Sequence, residues 1–361
     1  MRPEVFDIRE VSSSERFQAD WRQLLAGTPG TSYFQTPDWI LSWWKAFGDH
    51  ERTRIAVWRG PEGRFESLVV LSQRLTSLPA PVHIDFPVYV NGGSGPGAAD
   101  HCGWVVAKHH HSDATAWLAD ATAGRTLLVR SIRANDKPPL PTSARVVERT
   151  TCPRVEIPAP NDPVGHSKNI RTQLPRFKRR LERAGIEFQT IAPGGVDRSL
   201  VDRLFFLHSL RWRERRQRTA FVPTQSLLRL HYGLVEASSD MGGPSAVVAR
   251  HRGEIVGVLY GFCWQDTFAA YQNGSHPDWN KFSLGSVLIY MGIRAAGAQG
   301  ATFFDFLRGS EPYKYRFGAE DAYDQSWLLP RGASGLAYRS WYGWLRRRRQ
   351  VGRALRAAGL R

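Results

Sequence analysis

The stretch that most restricts the fold runs from Ser245 to Phe306. Ser245 to Arg250 and Glu254 to Trp264 read as strands around the turn His251-Arg252-Gly253, and Thr267 to Gln272 follows the turn Gln265-Asp266. Leu284 to Ala298 then shows helical apolar spacing, and Thr302 to Phe306 is strand-like after Gly300. The order is β-β-β-α-β, an antiparallel meander followed by a helix and a further strand.

Helices precede this meander. A basic helix is expected around Arg171 to Ala184, ending at Gly185, with Pro175 marking its start. A second runs from Ser199 to about Arg216 and a third from Thr224 to Ser238. The first half of the chain repeats the logic. Thr36-Pro37-Asp38 is a cap-like start for a helix carrying Trp39, Ile40, Trp43, Trp44 and Phe47, which ends near Gly48. Arg54 to Trp58 and Phe65 to Leu71 flank the turn Gly60-Pro61-Glu62-Gly63 as a hairpin. A Gly-rich loop lies between Asn91 and Gly103, Ala114 to Ala121 reads as helix, and Thr126 to Ile132 and Arg145 to Glu148 read as extended. Both halves are therefore mixed α and β, with a mostly antiparallel sheet flanked by helices.

A chain of 361 residues exceeds the size at which one core usually keeps growing, so two domains are expected. Prolines 138, 139, 141, 153, 158, 160 and 163 block helix and stiffen the backbone, which places the boundary there. The expected division is an N-terminal domain over 1–160, a catalytic domain over 161–330 and a basic aromatic tail over 331–361.

No N-terminal segment has the charge, apolar and small-residue series of a secretory leader, and no apolar run reaches the roughly 20 residues that cross a bilayer. Three widely spaced cysteines, Cys102, Cys152 and Cys263, build neither a disulfide framework nor a CxxC knuckle. A cytoplasmic protein is expected, either free or peripheral at the inner face of the membrane. The net charge of +16 favours polyanionic partners such as CoA, nucleic acid or acidic headgroups.

Four segments carry a resemblance: Thr36-Pro37-Asp38-Trp39 with Trp43; Arg176 to Gly185; His208 with Arg211 and Trp212; and Phe304-Asp305-Phe306-Leu307-Arg308-Gly309-Ser310-Glu311-Pro312-Tyr313-Lys314. In these the chain resembles the CelD/BcsL-type acetyltransferases of the GNAT superfamily and, more distantly, the Fem-type peptidyltransferases. The resemblance implies tandem GNAT-like domains and transfer of an acyl group, commonly from acetyl-CoA, to an amine or hydroxyl. It further implies an acceptor on an envelope polysaccharide or its precursor.

Acyl transfer needs a base, donors for the tetrahedral oxyanion and an acid for the departing thiolate. Asp305 sits between two aromatics, and Arg308, Glu311, Tyr313 and Lys314 follow on a loop bent by Gly309 and Pro312. Either carboxylate is a candidate base. The alternative is that Asp305 and Arg308 only cap the loop and Lys314 faces solvent. For the donor, the resemblance implies backbone amides at a helix start. Lys281, Ser283, Leu284, Gly285 and Ser286 supply the turn, with Ser283 as a cap and Gly285 allowing close approach. Tyr271, Asn273 and His276 are candidates for the acceptor cleft. His208 and Trp212 share a helix face, although a core histidine bonded to a carbonyl is the more frequent arrangement.

His109, His110 and His111 beside Asp113 do not make a metal site, because consecutive residues cannot all point at one ion. The basic residues from Lys168 to Arg183 suit a polyphosphate, an anionic lipid-linked sugar or tRNA, or else form a solvated face. Trp341, Tyr342, Trp344 and Leu345 before Arg346-Arg347-Arg348-Arg349 suit a membrane interface or a docked helix. The expected partners are acyl-CoA, an anionic glycan or envelope precursor and, through the tail, a membrane surface. Two rival functions remain: an aminoacyl-tRNA-dependent peptidyltransferase, and a non-catalytic accessory protein.

Overall fold

A computed structural model describes residues 1–48, 52–77, 85–95, 97, 99–214, 221–239 and 241–357. In chain order its elements are β1 (Glu4–Asp7), α1 (Ile8–Ser12), α2 (Glu15–Ala26), α3 (Pro37–Trp43), β2 (Arg52–Arg59), β3 (Phe65–Ser77), β4 (Asp85–Asn91), α4 (His111–Ala121), β5 (Leu127–Arg133) and β6 (Arg145–Glu156). There follow α5 (Lys168–Arg183), β7 (Ile186–Ile191), α6 (Arg198–Glu214), α7 (Gln225–Glu236), β8 (Gly242–His251), β9 (Glu254–Trp264) and β10 (Thr267–Ser275). The chain ends with α8 (Leu284–Ala298), β11 (Phe303–Asp305), α9 (Pro312–Tyr315), β12 (Glu320–Leu329) and α10 (Gly332–Ala357).

Two compact units result. One comprises Met1–Thr28, His50–Arg149 and Asp324–Arg361; the other comprises Pro29–Asp49 and Thr150–Tyr323. In the first, the strand order is β1-β2-β3-β4-β5-β12, antiparallel except for the parallel pair β4/β5. In the second it is β6-β11-β10-β9-β8-β7, antiparallel except for the parallel pair β11/β10. Each is a mostly antiparallel sheet flanked by helices, as the sequence pattern implies. β6 passes from the first unit into the second and β12 passes back, so each sheet is completed by a strand from the other half of the sequence.

Local chemistry explains where the helices begin. Thr36 caps α3 by accepting from the Trp39 amide, and Thr224 caps α7 from the Leu227 amide. The helix over Trp39 and Trp43 ends in one wide turn at Trp44–Gly48. Both tryptophans are fully buried, worth about 2–3 kcal/mol each in apolar burial. The expectation that α5 starts at Pro175 is corrected. Ser167 caps it by accepting from the Ile170 amide, and Pro175 lies inside the helix. Ile170, Leu174 and Leu181 continue one apolar stripe across the proline, and packing that stripe outweighs the lost amide bond.

In the second unit the core packs α5 and α8 on one sheet face through Leu174, Leu181, Val287, Leu288 and Ile293 against Val247, Leu259, Phe268 and Phe304. In the first, α4 contributes Ala114 and Leu118 against Ala56, Val69, Leu127 and Val129. α10 docks Tyr338, with Trp341 and Tyr342, on Val88, Val90 and Leu328. The segment expected as a tail is thus a helix whose first turns are packed; residues 358–361 lie outside the described residues. So does Arg216, the expected end of α6. No helix among the described residues is long and apolar enough to cross a membrane.

Candidate functional site

The second unit holds a split between its two parallel strands. β10 and β11 pair only from Thr267 opposite Phe303 to Ala269 opposite Asp305. Beyond this point β11 ends, whereas β10 continues to Ser275 with a bulge that leaves Tyr271 without a β9 partner. The chain leaving β11 turns sharply through Leu307 at φ 56° and Gly309 at φ 105°. A positive φ is costly for leucine, and such strain persists only where the surroundings impose it.

Here the surroundings are Asp305 and Lys314. The Asp305 carboxylate accepts from the Leu307 amide at 2.7 Å and is 3% exposed. Lys314 is 2% exposed, so the solvent-facing alternative is corrected. Its Nζ donates to the carbonyls of Leu307, Arg308 and Gly309 at 3.2, 2.8 and 2.8 Å, and it pairs with Glu311 at 2.9 Å. An ammonium has three donors, and three consecutive carbonyls meet them, which fixes the loop's conformation. Arg308, Glu311 and Tyr313 remain exposed on this loop, with Tyr313 edge-on to Phe306.

α8 begins at the other wall of the split. Ser283 occupies the cap position but makes no side-chain capping bond, because it sits in the left-handed conformation at φ 60°. This corrects its expected role. Leu284 is fully buried and offers only its backbone, while Lys281 is exposed with Nζ 5.3 Å over the Phe282 ring. Asn273 on β10 donates to the Gly285 carbonyl at 3.1 Å, tying the splayed strand to the helix start. Ser286 and Tyr313 then line one small cavity with Gln173, Phe177 and Arg316. Its volume is about 10 Å³, room for about one water, with Gln173 and Phe177 from α5 lining it beside Ser286 and Tyr313.

The opposite sheet face is aromatic. Tyr271 lies 5.3 Å from His231, 5.2 Å from Phe262, 6.1 Å from Phe221 and 6.3 Å from Trp39. His208, 3% exposed, packs edge-on to Phe221 in the same cluster. Burial pushes His231 down to about 3, so the ring is neutral, with Nδ1 3.3 Å from the Tyr260 hydroxyl. Burial also raises the Tyr260 phenol well above its ordinary value. The Trp212 side chain lies outside the described residues. The His276 Nδ1 accepts from the Asp278 amide and caps the short turn at Pro277–Phe282.

A family model described as an acetyltransferase (GNAT) domain covers this geometry. Residues 168–315 match it. The match therefore includes α5, α6, α7, the β10/β11 split, the α8 start and Tyr313. Among solved structures, FemX superposes with a TM-score of 0.61 at 9% identity over 86% of this chain and 95% of that one. A conserved protein from Bacteroides thetaiotaomicron gives 0.55 at 11% over 88% and 98%. L-PGS from Bacillus licheniformis gives 0.50 at 13% over 84% and 93%. These likenesses concern the fold alone. A search of curated protein sequences gives no match.

The matched segment thus brings together two residues singled out separately from the sequence, Ser286 and Tyr313, and turns a third, Lys314, inward. Gln173, Phe177 and Arg316 were missed as site residues, because nothing in the sequence says which helix faces the α8 start. On its outer side α5 carries a groove of about 470 Å³ lined by Gln173, Arg176, Phe177, Arg179, Arg180 and Arg183. In the other unit His109 meets Glu66, His110 meets Ser67 and His111 meets the Val106 carbonyl, and the ligand atoms of Glu66, His109 and His110 lie within 4.8 Å of one another.

Proposed function

We propose that the protein is an acyltransferase that moves an acetyl or other acyl group from acyl-CoA to an amine or hydroxyl. The observation that carries this is the shared cavity of Ser286 and Tyr313 between α5, the α8 start and α9, two residues of the segment matching a GNAT domain model. In this reading the donor's pyrophosphate lies at the start of α8, over Lys281, Ser283, Leu284, Gly285 and Ser286. Its thioester reaches towards Tyr313. The acceptor nitrogen or oxygen attacks the thioester carbon, its proton passes to a carboxylate, and the carbon–sulfur bond breaks.

Of the two carboxylates, Glu311 is the accessible one, since Asp305 is buried and already accepts from Leu307. In this reading Arg308 would face the developing oxyanion and Tyr313 would protonate the thiolate. Tyr315 is unsuited to that last task. Its hydrogen bond to Asp321 holds its phenol up at about 12. His208, Trp212, Tyr271 and Asn273 would line the acceptor side. The acceptor proposed is an amine or hydroxyl of an anionic envelope glycan or its precursor, met in the cytoplasm or at the inner membrane face. The packed α10, with Trp344 exposed, offers the membrane contact.

Titration calorimetry of acetyl-CoA and longer acyl-CoAs tests the donor. Stoichiometric binding to wild type, lost in Ser286→Glu, is expected. No binding by wild type would overturn the proposal. The arginines that line the α5 groove favour one second reading, transfer from an aminoacyl-tRNA. It predicts salt-sensitive tRNA binding in place of acyl-CoA binding.

A further inference from the structure

α5 carries four guanidinium groups along one groove. Arg176, Arg179, Arg180 and Arg183 line one groove, and among the described residues none has a hydrogen-bond or carboxylate partner. The helix's own acid, Glu182, pairs with Lys178 instead. Arg180 lies 4.7 Å over the Phe282 ring, which orients its plane beside the α8 turn. Like charges on one helix face repel one another, and a bound anion relieves that repulsion while meeting the guanidinium donors. At about 470 Å³ the groove holds more than a lone phosphate and matches a nucleotide-sized group.

The groove and the small cavity of Ser286 and Tyr313 lie on either side of Gln173 and Phe177, which line both. A ligand reaching from the arginines to Tyr313 must be long, carry phosphate at one end and its reactive group at the other. Resting on the acyl-CoA reading above, we infer that the α5 arginines bind the 3′-phosphate of the donor's ribose. The adenosine bisphosphate then sits in the groove, and Phe177 and Gln173 swing aside to admit the pantetheine arm. Arg176, Arg180 and Arg183 lie at successive i+4 and i+3 spacings, so two forks can meet one phosphate.

The test compares acetyl-CoA with acetyl-dephospho-CoA, which lacks only the 3′-phosphate, by calorimetry on the full chain. Wild type is expected to bind acetyl-CoA at least about tenfold more tightly. In Arg176→Gln/Arg183→Gln the two donors should bind alike, and adenosine 3′,5′-bisphosphate should compete with acetyl-CoA in wild type only. Lys178→Gln, outside the groove, should leave the preference intact. Equal binding of both donors by wild type would overturn this inference while leaving the acyl-CoA reading standing. Binding of neither would overturn both. Salt-sensitive binding of tRNA without acetyl-CoA binding would reassign the arginines to RNA.

Discussion

Each unit contains one parallel strand pair, and an asparagine near the end of each pair is used differently. In the first unit Asn91 ends β4 and is fully buried. Its Nδ2 donates to the Cys102 and Arg130 carbonyls at 2.8 and 2.9 Å, and its Oδ1 accepts from the Arg130 amide at 2.8 Å and from Ser94 at 3.1 Å. The side chain stitches shut the gap beside β5. In the second unit Asn273 makes one bond, to Gly285, and its buried Oδ1 has no partner among the described residues. A buried acceptor left open costs about 1–3 kcal/mol. The first split is finished by the protein itself, whereas the second keeps a polar group unsatisfied where a ligand is proposed to lie.

The largest expected effect tests whether the second split is held open by design. Lys314→Met removes the donor shared by three carbonyls and should cost about 2–4 kcal/mol in urea unfolding. A loss below about 1 kcal/mol would mean that the loop keeps its shape without it.

Two buried histidines extend the comparison. His101 meets the Asp324 carboxylate at 2.7 Å, but among the described residues His231 meets the Tyr260 phenol alone as a hydrogen-bond partner and is held down at about 3 by burial. The unfolded chain protonates His231 near 6.5, so below that pH it binds more protons than the folded state. Stability should therefore fall as pH drops from 6.5 towards 3, by at most about 1.4 kcal/mol per unit. Urea midpoints should show this slope flattened in His231→Gln; an unchanged slope would contradict the burial argument.

Smaller effects separate the two asparagines directly. Asn91→Ala should lower stability by about 2 kcal/mol and leave acyl-CoA affinity unchanged, since its bonds are all internal. Asn273→Ala should cost only about 1 kcal/mol in stability yet weaken acyl-CoA binding severalfold. The reverse pattern would exchange the roles of the two splits. Smallest of all, Lys178→Gln removes an exposed ion pair with Glu182 and should change stability by about 0.3 kcal/mol.

Much of the fold was legible because short turns and caps are local. His251-Arg252-Gly253 and Gln265-Asp266 fix the β8–β10 meander, and Thr36 and Thr224 announce α3 and α7. β12 was not legible, because two of its inward positions, Asp324 and Ser326, are polar and erase the alternation that reveals a strand. Asp324 belongs there because His101 meets it from 223 residues away in sequence. At the candidate site, Tyr313 and Ser286 were readable as residues, but not as neighbours. Lys314 resembled a surface lysine because its acceptors are carbonyls, which carry no sequence signal. Gln173 and Phe177 became site residues only through the packing of α5 beside α8.

Hydrogen exchange of the full chain with and without acetyl-CoA tests the central claim most directly, because it reads both splits at once. The account predicts ligand-dependent protection of the α8 start, residues 284–287, and of the α5 face, residues 173–183, with no change at 91–103. Protection at 91–103 alone, or at neither split under saturating acetyl-CoA, would contradict it.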